Sequence, residues 1–419
     1  MGYTELEDIG EENTMLKEQV HKFAEEVIKP ASMKLDRMEA PKVAEKGSLY
    51  WDVFRQMKEL GFHRVWVPRK YSGLEFSPDQ LSILYEELGW GSVGLATAIG
   101  VDCLPPTVIS MVGSAEAVEE VVMPWMEDEE GKYHGCWAVT EPEHGSDWLL
   151  APSYPVPTEF GKGQVTAVKD GDGWLINGSK SQWVSSAPAA THALVHVVFA
   201  EKDFSMAEGG LALIPLDLSG VTKGVLVDKH GLRDDPQGEI VFDNVRIPES
   251  YIVLAAPEFY TIFVNQLFCA TSSFMAIAFT GLARAAFEEA YKYARERIQG
   301  GKPLIEHEAI KLTLYGMFEK VETSRAYARK IMRHVWERMI KEETYNASVP
   351  HALAAQVYCK RAAFAVAHEA VQIFGGYGLS KDFWVEKLFR DARAGMVEDG
   401  TLEVLSLAAA YELYKNYQI

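Results

Sequence analysis

Four glycine- and polar-rich segments stand far apart in this 419-residue chain, and each could hold a ligand through exposed backbone donors at an element boundary. They are Trp137-Ala-Val-Thr-Glu-Pro-Glu-His-Gly-Ser-Asp147, Gly178-Ser-Lys-Ser-Gln-Trp-Val-Ser-Ser186, Gln372-Ile-Phe-Gly-Gly-Tyr-Gly378, and Arg390-Asp391 followed by Glu398-Asp-Gly-Thr401. Taken singly, each also has a purely structural reading. Thr140-Glu-Pro fits a strand-to-turn exit, Trp183 a core aromatic, Gly375-Gly376 a helix C-cap and Arg390-Asp391 an ion pair.

Other familiar patterns fail on geometry. Asp170-Gly-Asp-Gly173 begins like a calcium loop, but Trp174 and Ile176 occupy the next acidic positions, so it reads as a hairpin turn. His307-Glu308 and His368-Glu369 begin like a zinc-protease helix. Lys311 and Gln372 stand where the second histidine must be, and no metal site follows. No Walker loop or GxSxG elbow is present, and the lack of GxGxxG after a strand argues against a nicotinamide cofactor on a Rossmann unit.

Composition narrows the class further. With 60 acidic and 41 basic residues the formal charge is −19, which argues against a nucleic-acid binder. A chain that is 48% hydrophobic and 24% charged can bury a sizeable core, and its length implies two or three domains. The cysteines Cys103, Cys136, Cys269 and Cys359 are scattered, and the N-terminal MGYTELEDIGEEN is acidic, so a reducing cytoplasm is expected. The most apolar stretch, Phe259 to Ala283, is punctuated by Asn265 and Gln266 and reads as a buried helix, not a membrane span.

Three zones must position the four segments. Residues 1–135 are helical in pattern: Ser77-Pro78 is a start signal, and Leu81, Ile83, Leu84 and Leu88 follow at helical spacing. Residues 136–248 change period. Gln164 to Val168, Gly173 to Asn177, His192 to Phe199, Leu211 to Pro215 and Glu239 to Pro248 are short and β-rich, which predicts an antiparallel β domain. From 249 to 419 the helical period returns. One helix is expected from Ala283 to Gln299, ending at Gly300-Gly301; a second, over 30 residues long, carries Ile310, Leu314, Met317, Phe318, Val321, Ile331, Val335 and Met339 on one stripe. A third starts at a Ser348 cap and runs to Gly375-Gly376, so a bundle is implied.

In this order, on an α-β-α chain, the four segments resemble the acyl-CoA dehydrogenase family of flavoproteins. Gly231-Leu-Arg233 leading into Glu239 to Pro248, and Tyr293-Ala-Arg-Glu-Arg297 followed by Gly301-Lys-Pro-Leu-Ile-Glu-His307, extend the resemblance over nearly the whole chain. It implies an α+β multidomain fold: an N-terminal α-helical domain, a middle antiparallel β-barrel-like domain and a C-terminal four-helix bundle. It further implies FAD. Trp137, Val139, Thr140, Trp183 and Ser185 match positions at the flavin ring, and Ser146 matches one near the pyrophosphate or the thioester arm, where Gly400 also lies. Arg297, Gln372, Gly376 and Thr401 match positions that reach the adenosine half, partly across a subunit interface, so a homotetramer is implied. The family removes a proton α to an acyl-CoA thioester carbonyl, transfers a β-hydride to flavin N5 and passes electrons to an electron-transferring flavoprotein.

The family's base is typically a glutamate immediately before Gly-Thr. Here that residue is Asp399, with Glu398 before it as the fallback. Aspartate is about 1–1.5 Å shorter, which can cost about a hundredfold unless the substrate moves to match. The alternative base position of some relatives falls at Thr271; an arginine common close by is replaced by Ser272, and a phenylalanine after Arg297 by Gly300. Three readings follow: an acyl-CoA dehydrogenase with a specialised pocket, a nitroalkane-oxidase-like or acyl-CoA oxidase-type enzyme with Asp399 as base, and a non-catalytic relative that binds FAD or CoA as a subunit or scaffold. Trp90, Tyr377 and Trp384 would suit a cyclic or bulky acyl group if they line the pocket.

Overall fold

The computed structural model describes residues 6–150, 161–341 and 349–416. The N-terminal region carries α1 (Gly10–Phe23) and α2 (Leu49–Glu59). Ser77-Pro78 then starts α3 (Pro78–Gly91) through a capping box: Ser77 Oγ accepts the Gln80 amide, and Gln80 Oε1 accepts the Ser77 amide. Two apolar helices follow, α4 (Val93–Asp102) and α5 (Leu104–Val112).

The middle region is a sheet of eight strands: β1 (Gly135–Ala138), β2 (Thr166–Asp170), β3 (Gly173–Ser185), β4 (His192–Phe199), β5 (Gly210–Pro215), β6 (Val221–Leu226), β7 (Gln237–Pro248) and β8 (Ile252–Leu254). Asp170 and Gly173 pair across the β2–β3 hairpin, so the calcium-like segment is a turn. The order is β6-β7-β3-β2-β4-β5-β8, with β1 also on β4. This corrects the antiparallel, barrel-like expectation: β1 and β2 both run parallel to β4, and the sheet is mixed and does not close. Alternation along a strand reports which face is buried, not the direction of the partner, and β1 arrives from the helical region instead of through a hairpin.

The C-terminal region contains α6 (Pro257–Glu296), α7 (Glu308–Lys341), α8 (Val349–Phe374), α9 (Trp384–Gly395) and α10 (Leu402–Asn416). Helix α6 is one 40-residue rod joining the Phe259–Ala283 and Ala283–Gln299 segments. On α7 the stripe from Leu314 to Val335 is buried, but Phe318 falls on the outer face at 41% exposure. The Met339 side chain and the Ser348 cap lie outside the described residues. Helices α6, α7, α8 and α10 form the bundle, and α3 packs into it so that N- and C-terminal helices share one core. That crossing requires glycine: a Cβ on Gly89 would stand 2.1 Å from the Ala278 carbonyl oxygen, and one on Gly281 2.1 Å from that of Glu86. The stretches Val93–Val112 and Phe259–Glu296 are apolar enough to span a membrane, but 83% and 89% of their most apolar windows are buried inside the protein. They are core.

Candidate active site

A cavity of about 730 Å³ opens where the three regions meet. Its middle-region wall begins at the end of β1. The Trp137 indole N–H donates to His196 Nε2 at 3.0 Å; since indole is only a donor, Nδ1 carries the ring proton and donates to Tyr260 Oη at 2.8 Å. Burial, helped by the Lys180 charge, holds His196 well below its ordinary range and therefore neutral. The exit after Trp137 is pinned from behind. Lys180 donates to the Val139 carbonyl at 2.9 Å and to Glu141 at 2.7 Å, and Glu141 accepts the amides of Gln164 and Val165. Burial lowers the Lys180 ammonium to about 8 despite this partner. Thr140 Oγ1 lies 2.7 Å from Ser181 Oγ, and the β3 segment then turns Trp183 outward at 52% exposure. The core reading of Trp183 is thereby corrected. Ser185 Oγ donates to Asp235 Oδ2 at 2.7 Å.

The opposite wall carries the carboxylates. Asp399 and Gly400 both adopt left-handed backbone, with φ of 53° and 88°, in the turn that leads into α10. Thr401 Oγ1 accepts the Val404 amide and caps that helix, and the Thr401 amide donates to Ser146 Oγ at 3.1 Å. Gln356 Nε2 donates to Asp399 Oδ2 at 3.1 Å. Burial raises the Asp399 carboxyl, while the charge of Lys360 and the Gln356 hydrogen bond oppose the rise. The Glu398 Oε2 atom is sealed from solvent with no hydrogen-bond partner. Burial first, and the Asp235 charge next, push Glu398 up to about 8. Adjacent acids are thus poised differently.

Trp66, Gly100, Val101, Phe274 and Met275 line a deep, largely apolar end of the cavity. None of these was singled out from the sequence, because a core stripe and a pocket wall share one pattern. Trp90 and Trp384 are not part of it; their rings pack 5.3 Å apart, with the Lys29 ammonium 3.6 Å over Trp384, and Tyr377 is exposed elsewhere. None of the three can therefore shape a pocket for a cyclic acyl group.

Of the candidate residues, Trp137, Val139, Thr140, Ser146, Trp183, Ser185, Glu398, Asp399, Gly400 and Thr401 all line this one cavity. Arg297, Gln372 and Gly376 do not. They lie exposed at the far end of the bundle, where Arg297 sits 5.8 Å over the Tyr377 ring and Tyr293 stacks on Phe374. Arg390 and Asp391 do not pair with each other: Arg390 holds Asp36 and Glu386, whereas Asp391 binds Lys387 and the Leu232 amide at the cavity edge. Thr271 lines the cavity without offering a carboxylate, as expected. Sequence reasoning missed Asp235, Lys229, Gln356 and Lys360. The one signal for the last two was polar residues four apart on an alanine-rich helix face.

The site offers aromatic and apolar surface beside open backbone. Trp137 and Phe268, 5.4 Å apart, present an apolar edge, and the backbone at Gly145 is open, since a Cβ there would meet nothing within 4 Å, with its amide donating to Asp147 Oδ1 at 2.6 Å. The models for the N-terminal, middle and C-terminal domains of acyl-CoA dehydrogenases match residues 10–129, 136–245 and 272–413. The mitochondrial short-chain specific acyl-CoA dehydrogenase of Bos taurus is 28% identical over 98% of this chain and 92% of its own length. A 3-(aryl)acrylate reductase of Clostridium sporogenes is 28% identical, covering 97% of this chain and 99% of the relative. The glutaryl-coenzyme A dehydrogenase in complex with glutaryl-CoA superposes with a TM-score of 0.83 at 25% identity, covering 100% and 98% of the two chains.

Proposed function

The chain belongs to the acyl-CoA dehydrogenase family, oxidoreductases acting on CH–CH groups, and we propose that it binds FAD and oxidises an acyl-CoA thioester with Asp399 as base. The observation that carries this is the Glu398-Asp399 turn facing the Trp137-Thr140 strand exit across one cavity. A substrate between them presents its α-carbon to a carboxylate and its other face to the flavin position.

The chain's own residues then divide the work. Asp399 takes the α-proton as the α C–H bond breaks, and burial raises its affinity for that proton. The chemistry FAD would supply here, held by Trp137, Val139, Thr140, Trp183 and Ser185, is that of a hydride acceptor for the β-carbon. Gln356 fixes the carboxylate, Trp137 and Phe268 exclude water, and the open backbone at Gly145-Ser146 leaves room for the phosphates. The deep end accepts an apolar acyl group; Trp66, Phe268 and Phe274 keep a cyclic or bulky one open, and the likeness to an arylacrylate reductase supports that choice. Arg297, Gln372 and Gly376, exposed away from the cavity, support the reading that a second copy completes the adenosine site in a tetramer. The acceptor is an electron-transferring flavoprotein.

An anoxic absorbance titration with straight, branched and cyclic acyl-CoAs tests the reading. Bleaching of the flavin band by one class establishes the dehydrogenation. No bleaching by any thioester, with oxidation of a nitroalkane by O₂, favours the oxidase that an aspartate base also suits; no bound flavin overturns both.

A further inference from the structure

Helix α8 sends two polar side chains, four residues apart, into the back of the Glu398-Asp399 turn. Gln356 Nε2 bonds Asp399 Oδ2, and Lys360 Nζ donates to the Glu398 carbonyl at 2.7 Å. Both side chains are fully buried, on a face otherwise made of Ala352, Ala355, Cys359, Ala363 and Val366. Holding a carbonyl requires a donor, not a charge. Gln356 shows that a neutral amide does this one turn earlier, so the ammonium needs a separate reason, because a charge is costly to bury. Among the described residues Lys360 makes no direct ion pair, and the charges that act on it are those of Asp399 and Glu398 through the low-dielectric interior.

We propose that Lys360 is a positioning residue that serves as counter-charge to the base: its buried ammonium, bonded to the Glu398 carbonyl behind the turn, favours the carboxylate form of Asp399. This rests on Asp399 being the base. Every element around the pair is consistent with it. Helix α8 contributes Gln356 and Lys360; the β6–β7 connection contributes Lys229 and Asp235, which act on Glu398; and the α6 side chains beside the turn, Asn265, Phe268, Cys269, Thr271 and Ser272, include no carboxylate or ammonium. Burial and Asp235 favour a protonated Glu398, so the charge settles on Asp399, the acid nearer Lys360 in effect, since Lys360 weighs more on its proton affinity than any other charge.

Lys360→Met keeps the length and removes the charge, and Lys360→Arg restores it. With flavin-loaded enzyme and the acyl-CoA that bleaches it best, the acid limb of kcat/KM against pH is expected to move up by at least about one unit in Lys360→Met, with the alkaline plateau kept, and to return in Lys360→Arg. Infrared difference spectra of the resting protein give a second readout. One protonated carboxyl, abolished by Glu398→Gln, is expected in the wild type at pH 7, and a second, abolished by Asp399→Asn, in Lys360→Met. If Lys360→Met does not fold, Lys360→Gln is read in the same way. An unmoved limb with an unchanged carboxyl spectrum overturns the inference while leaving the base assignment intact; an Asp399→Asn enzyme that reduces flavin at the wild-type rate overturns the base assignment itself.

Discussion

The Thr401 backbone N–H donates to Ser146 Oγ at 3.1 Å, tying together residues 255 positions apart in the chain. Ser146 belongs to the turn after β1, and Thr401 caps α10 directly after the carboxylate turn, so one hydrogen bond joins two parts of the cavity lining. The left-handed conformations of Asp399 and Gly400 aim the chain into that bond. The turn after β1 and the carboxylate turn are therefore one mechanical unit, although they come from different regions of the fold.

The two adjacent acids separate by function. Asp399→Asn is expected to slow flavin reduction by about 10²–10⁴-fold with the flavin retained, the usual size for a general base. Glu398→Gln replaces an already protonated carboxyl at pH 7 and is expected to stay within about tenfold of wild type. Anaerobic stopped-flow reduction measures both. The reverse ranking transfers the base to Glu398.

Stability should carry the Glu398 signature. Its carboxyl titrates near 4.5 when unperturbed and at about 8 in the folded protein, because burial and the Asp235 charge oppose ionisation. Folding thus favours the protonated form: the contribution is fully present below about 4.5 and is lost as pH rises through about 8. Glu398→Gln lacks that loss, so its Tm falls less steeply between pH 5 and 9 and exceeds that of wild type at the alkaline end. Calorimetric scans across the range decide it, and parallel curves refute it.

Gly100 sets the width of the deep end. A Cβ there would stand 2.7 Å from Phe274 Cζ, so Gly100→Ala must push that ring, which also lines the cavity. Kinetics with a matched pair of acyl-CoAs should show kcat/KM for a bulky or branched acyl group falling about tenfold more than for a short straight one. Equal losses for the two would place the acyl group elsewhere.

Much of this molecule was legible in its residues. The helix start at Ser77-Pro78, strand β4 over His192 to Phe199, the hairpin at Asp170 to Gly173 and the C-cap at Gly375 all form where local chemistry demands, because capping, alternation and turn conformation act within a few residues. The motif order alone also pointed to the family, and ten of the thirteen residues it nominated (Trp137, Val139, Thr140, Ser146, Trp183, Ser185, Glu398, Asp399, Gly400 and Thr401) meet at one cavity. Tertiary structure decided the rest. The parallel run of β1 on β4, the burial of Trp90 against Trp384 away from the site, and the opening of Trp66 and Phe274 onto it depend on which surfaces meet, and a period of two or 3.6 is blind to that. The proton affinities were beyond the sequence for the same reason. Glu398 and Asp399 are neighbours of like chemistry in the chain, and only the placement of Lys360, Gln356 and Asp235 around them gives each a different electrostatic field.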